Sequence, residues 1–245
     1  MAYPAQINTR PKTNFSTLLP YHTTLKDGRR VVLNHVEQFG SQEPSLIESM
    51  RRTLNHEIVT MGDSYPFESE MDTAQFHSYY CAYEAFCLCL VEPEQDDGKN
   101  RVSSTTQAVE VPNPSFVGCF YIKPNFPGRC SHVCNAGFLV LPQYQGCGAG
   151  YIMGEYFLHL AKHLQYRGAM FNLVFVSNGP SNRLWEKLGF SKIGTIPGVG
   201  RLRDRQGGDE VFVSANQWFY DLTEMIPHRY PPWSGHTQET LRQEK

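Results

Sequence analysis

Three glycines at alternating positions, Gly146, Gly148 and Gly150, stand in the string Pro142-Gln143-Tyr144-Gln145-Gly146-Cys147-Gly148-Ala149-Gly150, and a run with helical periodicity follows at once. Glycine tolerates the backbone angles that turn successive N–H groups into one concavity, and a helix N-terminus adds partial positive charge. Such a turn suits phosphate, and a pyrophosphate best. Two familiar phosphate loops do not fit. A Walker loop needs Lys and Ser or Thr where Tyr151 and Ile152 stand; the dinucleotide fingerprint needs glycine at 151 and an acidic residue where Ser177 and Asn178 end the next strand. The pattern that fits is Gln-x-x-Gly-x-Gly, with Gln145, Gly146, Cys147, Gly148, Ala149 and Gly150 as candidate diphosphate contacts. On this motif alone, a glycine-rich turn that binds nothing is the plain alternative.

A second pattern, Asn178-x-x-Ser181-x-x-Leu184-Trp185-x-x-Leu188-Gly189-Phe190, follows the next strand. Together the two segments resemble the GNAT superfamily, the acetyl-coenzyme A dependent N-acetyltransferases. The resemblance implies that the first motif holds the coenzyme pyrophosphate and that the helix carrying Ser181 and Trp185 lies beside the pantetheine arm. The strings GCFYIKPNFPGRCSHVCNAGFLV, FNLVFVSN, RLWEKLGF and KIGTIP further resemble the fungal branch that acetylates the proline analogue L-azetidine-2-carboxylate and imino acids such as pyrroline-5-carboxylate. That likeness is strong from about Phe116 to Val199 and thinner in the N-terminal half. It implies that Asn135 contacts the substrate, that the backbone amides of Asn172 and Leu173 also touch it, and that Asn178 lies near the coenzyme sulfur. It also implies a homodimer and puts the backbone of Phe138, with Leu139 and Val140, near the thioester; a cytoplasmic location is expected, and a detoxifying and a metabolic role both stay open.

Acetyl transfer to an amine needs a neutral nucleophile, donors for the oxygen on which negative charge develops, and a group that stabilises the departing thiolate. Many members of the superfamily carry a tyrosine seven residues after the motif asparagine to protonate the thiolate; Trp185 stands there, and an indole is no such acid. Asn178 is therefore assigned thiolate stabilisation through its side-chain N–H, against the alternative of a simple helix cap. Asn135 offers a neutral amide to a substrate carboxylate, against the alternative of a strand asparagine serving its own backbone. From Val111 through Gly154 there is no Asp or Glu, so His132 is the one conventional titrating candidate for a base, with a surface histidine as the ordinary reading. Lys123 and Arg129 could favour an anionic ligand or be exposed turn charges. Cys147, inside the loop, reads as packing, so direct attack in a ternary complex is expected.

These residues need a scaffold of suitable size. The 245 residues, 40% apolar and 19% charged, describe one large folded domain, and 22 Lys+Arg against 24 Asp+Glu give no electrostatic case for nucleic acid or a membrane surface. The longest apolar run, Ala85 to Val91, falls far short of the ~18 residues of a membrane span, and the N-terminus lacks the apolar core of a secretory signal. Five of the seven cysteines (Cys81, Cys87, Cys89, Cys119, Cys134) sit in apolar surroundings and read as reduced core residues. Cys130-Ser-His132-Val-Cys134 offers at most three ligands, so no metal is expected.

The elements follow from periodicity. Asp27-Gly28 between extended runs signals a type I′ hairpin. Leu46, Ile47, Met50 and Leu54 mark a helix beginning at Pro44, and Phe76 and Tyr80 a second one. Strands are predicted at Phe86 to Val91, Phe116 to Ile122, Cys134 to Leu141, Met170 to Val176, Phe190 to Ile196 and Val211 to Leu222. An amphipathic helix from Gly148 to Leu164 joins two of them as a βαβ unit, and a shorter helix spans Pro180 to Leu188. The fold class is α+β: a mixed, mostly antiparallel sheet with flanking helices and one βαβ crossover carrying the phosphate loop. Residues 1–20 are read as a flexible arm, 21–226 as the domain with a polar surface insert at 92–114, and 227–245 as a flexible tail.

Overall fold

Strand-forming runs separated by turns build one eight-stranded sheet, seen in a computed structural model that describes residues 13–36, 44–62, 64–91, 109–204 and 209–224. The strands are β1 (Tyr21–Thr24), β2 (Arg30–His35), β3 (Glu84–Leu90), β4 (Phe116–Pro124), β5 (Val133–Val140), β6 (Gly168–Phe175), β7 (Ser191–Arg203) and β8 (Glu210–Asp221). Their order is β1-β2-β3-β4-β5-β6-β8-β7, and every neighbouring pair is antiparallel except β5 and β6. The helices are α1 (Pro44–Asn55), α2 (Thr73–Tyr80), α3 (Ala149–His163) and α4 (Gly179–Leu188). The α+β architecture with one βαβ crossover, β5-α3-β6, therefore stands as expected.

Strand alternation sends β4 and β5 side chains to two different layers. Phe120 and Phe138 stack at 5.1 Å on one face and meet Phe157 of α3 edge-on. On the other face Tyr80 of α2 lies edge-on to Tyr121 and bonds Cys119 Sγ at 3.2 Å. Helix α1 joins that second layer through Leu46, Met50 and Leu54, and a π-turn, His56–Met61, carries it on to Gly62 in the left-handed region at φ 63°. Helix α2 starts at a capping box in which Asp72 and Gln75 each accept the other's backbone N–H.

Several expectations need correction. The β1–β2 connection is not a type I′ turn: Gly28 N–H bonds Leu25 O, Leu25 N–H bonds Arg29 O, and Gly28 takes φ 91° as the bulge residue of a longer loop. Phe15 and Leu19 of the presumed arm belong to the core, at 3% and 4% exposed; residues 1–12 lie outside the described set. For the same reason α3 is not amphipathic in place: Phe15 and Leu19 pack over its outer side, Tyr156 Oη donates to Leu18 O at 2.6 Å, and nearly every residue from Ala149 to Ala161 is buried. Strand β7 runs beyond Ile196 because it is the edge strand, where a register shift between Ile196 and Gly200 absorbs Pro197 and Gly198. Of the 92–114 insert, 109–114 is described and leans on the core through Val109 and Val111; 92–108 and the 227–245 tail lie outside the described residues.

Candidate active site

The chemistry gathers where β5 and β6 part. The two parallel strands pair only at Val133–Gly168 and Cys134–Ala169, then diverge, although β5 continues to Val140 and β6 to Phe175. Which β5 amides face the opening follows from the β4 ladder. Asn125 N–H bonds Val133 O and Leu141 N–H bonds Val117 O, so odd-numbered β5 residues are turned toward β4. Alternation then points the N–H groups of Ala136, Phe138 and Val140 into the gap. The amides of Phe138 and Val140 thus face the gap. Leu139 is not: its side chain is buried and its N–H is spent on the β4 ladder, so it is removed from the gap-facing set.

At the far end of β5 the chain passes through Leu141 and a 3₁₀ turn, Pro142–Tyr144, into the glycine loop. Gly146 and Gly148 have φ 81° and 94°, angles that side-chain-bearing residues rarely adopt, and Gly148 is the N-cap of α3. No side chain caps this helix and no acidic residue occupies its first turn, so its leading N–H groups and positive end face outward over the exposed Gln145 and Gly146. The hairpin supplies a neighbour that periodicity could not reveal. Lys26 N–H bonds Cys147 O at 2.9 Å, and the exposed Lys26 side chain lies against Gly148. Arg29 bonds Cys147 Sγ at 3.3 Å but is paired with Asp27 at 2.6 Å, which pulls the Asp27 carboxyl down to about 2. Lys26 is therefore the cation left for an anion here. Burial raises the Cys147 thiol above its ordinary range, in keeping with packing rather than nucleophilic attack.

Across the gap, Asn178 is a helix cap after all: its Oδ1 accepts Ser181 N–H at 3.1 Å at the start of α4. The bond uses the oxygen and leaves the Nδ2 hydrogens outside it, so the cap is compatible with a donor role. Ser181 is engaged through its backbone. Trp185, only 4% exposed, has its ring centroid 5.0 Å from that of Phe138 and 4.3 Å from that of Phe171, so it stands as a wall of the opening on the α4 side. The sequence reading missed Asn182, whose Nδ2 donates to Phe175 O and Asn178 O while its Oδ1 accepts from Asn216 and Trp218. It ties the Asn178 turn to β6 and β8, and one asparagine in a helix carries no pattern that would have flagged it.

The opposite mouth of the gap faces α1 and α2. Asn135 sits at the vertex, its Nδ2 donating to Met170 O at 2.8 Å, so the amide bridges the two strands as they separate and keeps one N–H for a ligand. Asn172 and Leu173 oppose the single residue Gln217, because the β6–β8 register shifts between Phe171 and Val174. This bulge takes their backbone out of the regular ladder and leaves Leu173 38% exposed. The Asn172 side chain exchanges hydrogen bonds with Asn125. Tyrosines absent from the sequence reading of the site line this mouth: Tyr65 Oη reaches Phe138 O at 3.4 Å, and Tyr79 and Tyr121 share a 3.1 Å hydroxyl contact. Burial raises all three phenols, which keeps them protonated. Lys123, for which an anionic ligand and an exposed turn were the two readings, is not a turn residue but a β4 residue directly opposite Asn135, with Nζ 4.2 Å from the Tyr79 ring and 4.4 Å from the Tyr121 ring. His132 stands apart in the exposed β4–β5 turn against Arg129 O, away from the gap. Arg129 is exposed there too. Cys130 is exposed while Cys134 is buried in β5.

A family model described as acetyltransferase (GNAT) family matches residues 60–190. The N-acetyltransferase aca1 of Schizosaccharomyces pombe is 34% identical over 168 residues, which cover 69% of this chain and 78% of that protein. Two solved structures share the fold. A GCN5-related N-acetyltransferase from Kribbella flavida has a TM-score of 0.58 at 20% identity, covering 78% of this chain and 97% of that one. A GNAT superfamily phosphinothricin acetyltransferase from Sinorhizobium meliloti, solved in complex with acetyl-CoA, has a TM-score of 0.59 at 13% identity over 86% and 97%.

Proposed function

The chain belongs to the GNAT family of N-acetyltransferases, and from that premise we propose that it moves acetyl from acetyl-coenzyme A to the nitrogen of a small imino or amino acid, such as L-azetidine-2-carboxylate or pyrroline-5-carboxylate, by direct attack. The observation that carries the reading is the β5–β6 opening, lined by backbone N–H groups that lie beyond the β5–β6 pairing and leading into a glycine loop at a helix N-terminus with no side-chain cap among the described residues. A diphosphate carrier with a long polar arm fits that shape: anion at the helix end, amide arm along the strand edge. The motif resemblance to the fungal proline-analogue acetyltransferases supports the acceptor class.

Acetyl-coenzyme A, when bound, supplies an activated acetyl thioester. The chain supplies the rest. The N–H groups of Ala136 and Phe138 are oriented to donate to the carbonyl oxygen as negative charge builds on it. Asn178, with its oxygen committed to the α4 cap, donates through Nδ2 toward the sulfur. Asn135 and the bulged Asn172–Leu173 backbone hold the acceptor at the vertex. With no carboxylate between Val111 and Gly154 and His132 out in a turn, the acceptor's proton leaves to solvent.

A spectrophotometric free-thiol assay over imino acids, amino acids, polyamines and a lysine peptide tests the acceptor class; release of coenzyme A with polyamines alone would overturn it. Calorimetry with coenzyme A tests the loop, and folded protein giving no heat would defeat the whole reading. We also place the protein in the cytoplasm, supported by its seven free thiols. We read it as a homodimer, as the resemblance implies, which sedimentation would check.

A further inference from the structure

We propose that Lys123 receives the carboxylate of the acceptor and so selects amino and imino acids over plain amines. This rests on the acceptor class proposed above. The argument begins with what surrounds the ammonium. Lys123 is partly buried on β4, its Nζ lies over the ring faces of Tyr79 from α2 and Tyr121 from its own strand, and no carboxylate within salt-bridge distance of it occurs among the described residues. Two ring faces attract a cation but leave an ammonium short of acceptors, since its three N–H donors find no oxygen there. A lysine on a solvated surface has water for that purpose; here burial takes part of it away, and the cost shows as a pKa lowered to about 8.

Position completes the case. Lys123 and Asn135 are direct cross-strand partners, and the Lys123, Tyr121 and Asn135 side chains share the face on which α2 packs. Directly opposed residues hold their Cβ atoms about 4.5–5.5 Å apart. The Asn135 amide and the lysine ammonium can therefore meet one small ligand together. An α-amino or imino acid carries its carboxylate one carbon from the nitrogen. An ammonium beside the vertex can bind the first while the second faces the thioester. The titratable groups facing Lys123 among the described residues, Tyr79 and Tyr121, are phenols held neutral by burial, and Asn135, Asn125 and Asn172 carry no charge.

The test uses the full chain at saturating acetyl-coenzyme A with a matched pair, L-azetidine-2-carboxylate and its carboxamide. Wild type should favour the carboxylate, and Lys123→Met should raise its KM by about 10-fold or more, the scale of one charge-assisted hydrogen bond, with kcat, the carboxamide KM, coenzyme affinity and Tm nearly unchanged. Lys123→Arg keeps the charge and should keep the preference. On the carboxylate acceptor, the ratio of kcat/KM for wild type to that for Lys123→Arg should fall as pH rises through about 8, because only the lysine loses its charge there; using one acceptor cancels its own titration. Two results overturn the inference alone: Lys123→Met leaving the carboxylate KM within about twofold, or a loss confined to kcat, the mark of a proton acceptor. Wild type that acetylates neither compound overturns the acceptor class, and this role with it.

Discussion

Asn178 illustrates how one side chain can serve folding and chemistry through different atoms. Its oxygen caps α4 through Ser181 N–H, and its amide hydrogens stay outside that bond, which is what the proposed role at the coenzyme sulfur needs. The two roles separate by substitution. Asn178→Asp keeps the acceptor for the cap but loses the donor, so kcat should fall about 10- to 1000-fold with Tm close to wild type. Asn178→Ala loses both, adding about 0.5–2 kcal/mol of destabilisation in a denaturant melt. An Asp variant with full kcat would take Asn178 out of the reaction. Asn135→Ala carries a similar double meaning. It should raise the acceptor KM while sparing coenzyme affinity, and it should cost about 1 kcal/mol of stability through the lost bond to Met170 O. Calorimetry showing equal loss of both ligands would contradict the assignment. The identity of these asparagines was readable because they sit in motifs. The partners of their individual atoms were not, because Met170 O lies on another strand.

At the scale of elements, the conformation of the glycine loop was legible: alternating glycines between a strand and a helix are a local signal, and Gly146 and Gly148 take the positive φ such a turn needs. The hairpin tip beside it was not legible, since the contact of Lys26 with Cys147 O links residues far apart in the chain. Reversing that charge tests the juxtaposition. Lys26→Glu should weaken coenzyme binding roughly 5- to 30-fold at low salt, less at high salt, by removing one attraction and adding one repulsion near a diphosphate. Its Tm should hardly move, because the side chain is exposed. Binding unchanged by the reversal would dissociate the hairpin from the anion site. Strand β5 makes the same distinction in another way: the sequence singles out the stretch 138–140, but only the β4 register decides that the amides of Phe138 and Val140 face the gap and that of Leu139 does not.

At the scale of the molecule, the opening depends on how tightly the sheet is packed behind it. A Cβ on Gly118 of β4 would lie 2.5 Å from Leu139 O and 3.0 Å from Met153 Cε of α3. Gly118→Ala should therefore push β4 from β5 or lift α3, destabilising by about 1–3 kcal/mol or more and lowering coenzyme affinity together with Tm. A variant as stable as wild type would show that the packing yields more easily than the spacing implies. No helix among the described residues is long and apolar enough to cross a membrane. The sequence by itself determined the order of elements, the βαβ crossover, the glycine loop and the motif asparagines, because periodicity, glycine spacing and motifs are properties of neighbouring residues. Tertiary structure alone decided that Phe15 and Leu19 cover α3, that Trp185 closes one side of the opening, and that Lys123 stands between two tyrosine rings opposite Asn135. Those facts depend on strand register and on layers meeting across the sheet, where residues distant in the chain share one low-dielectric space.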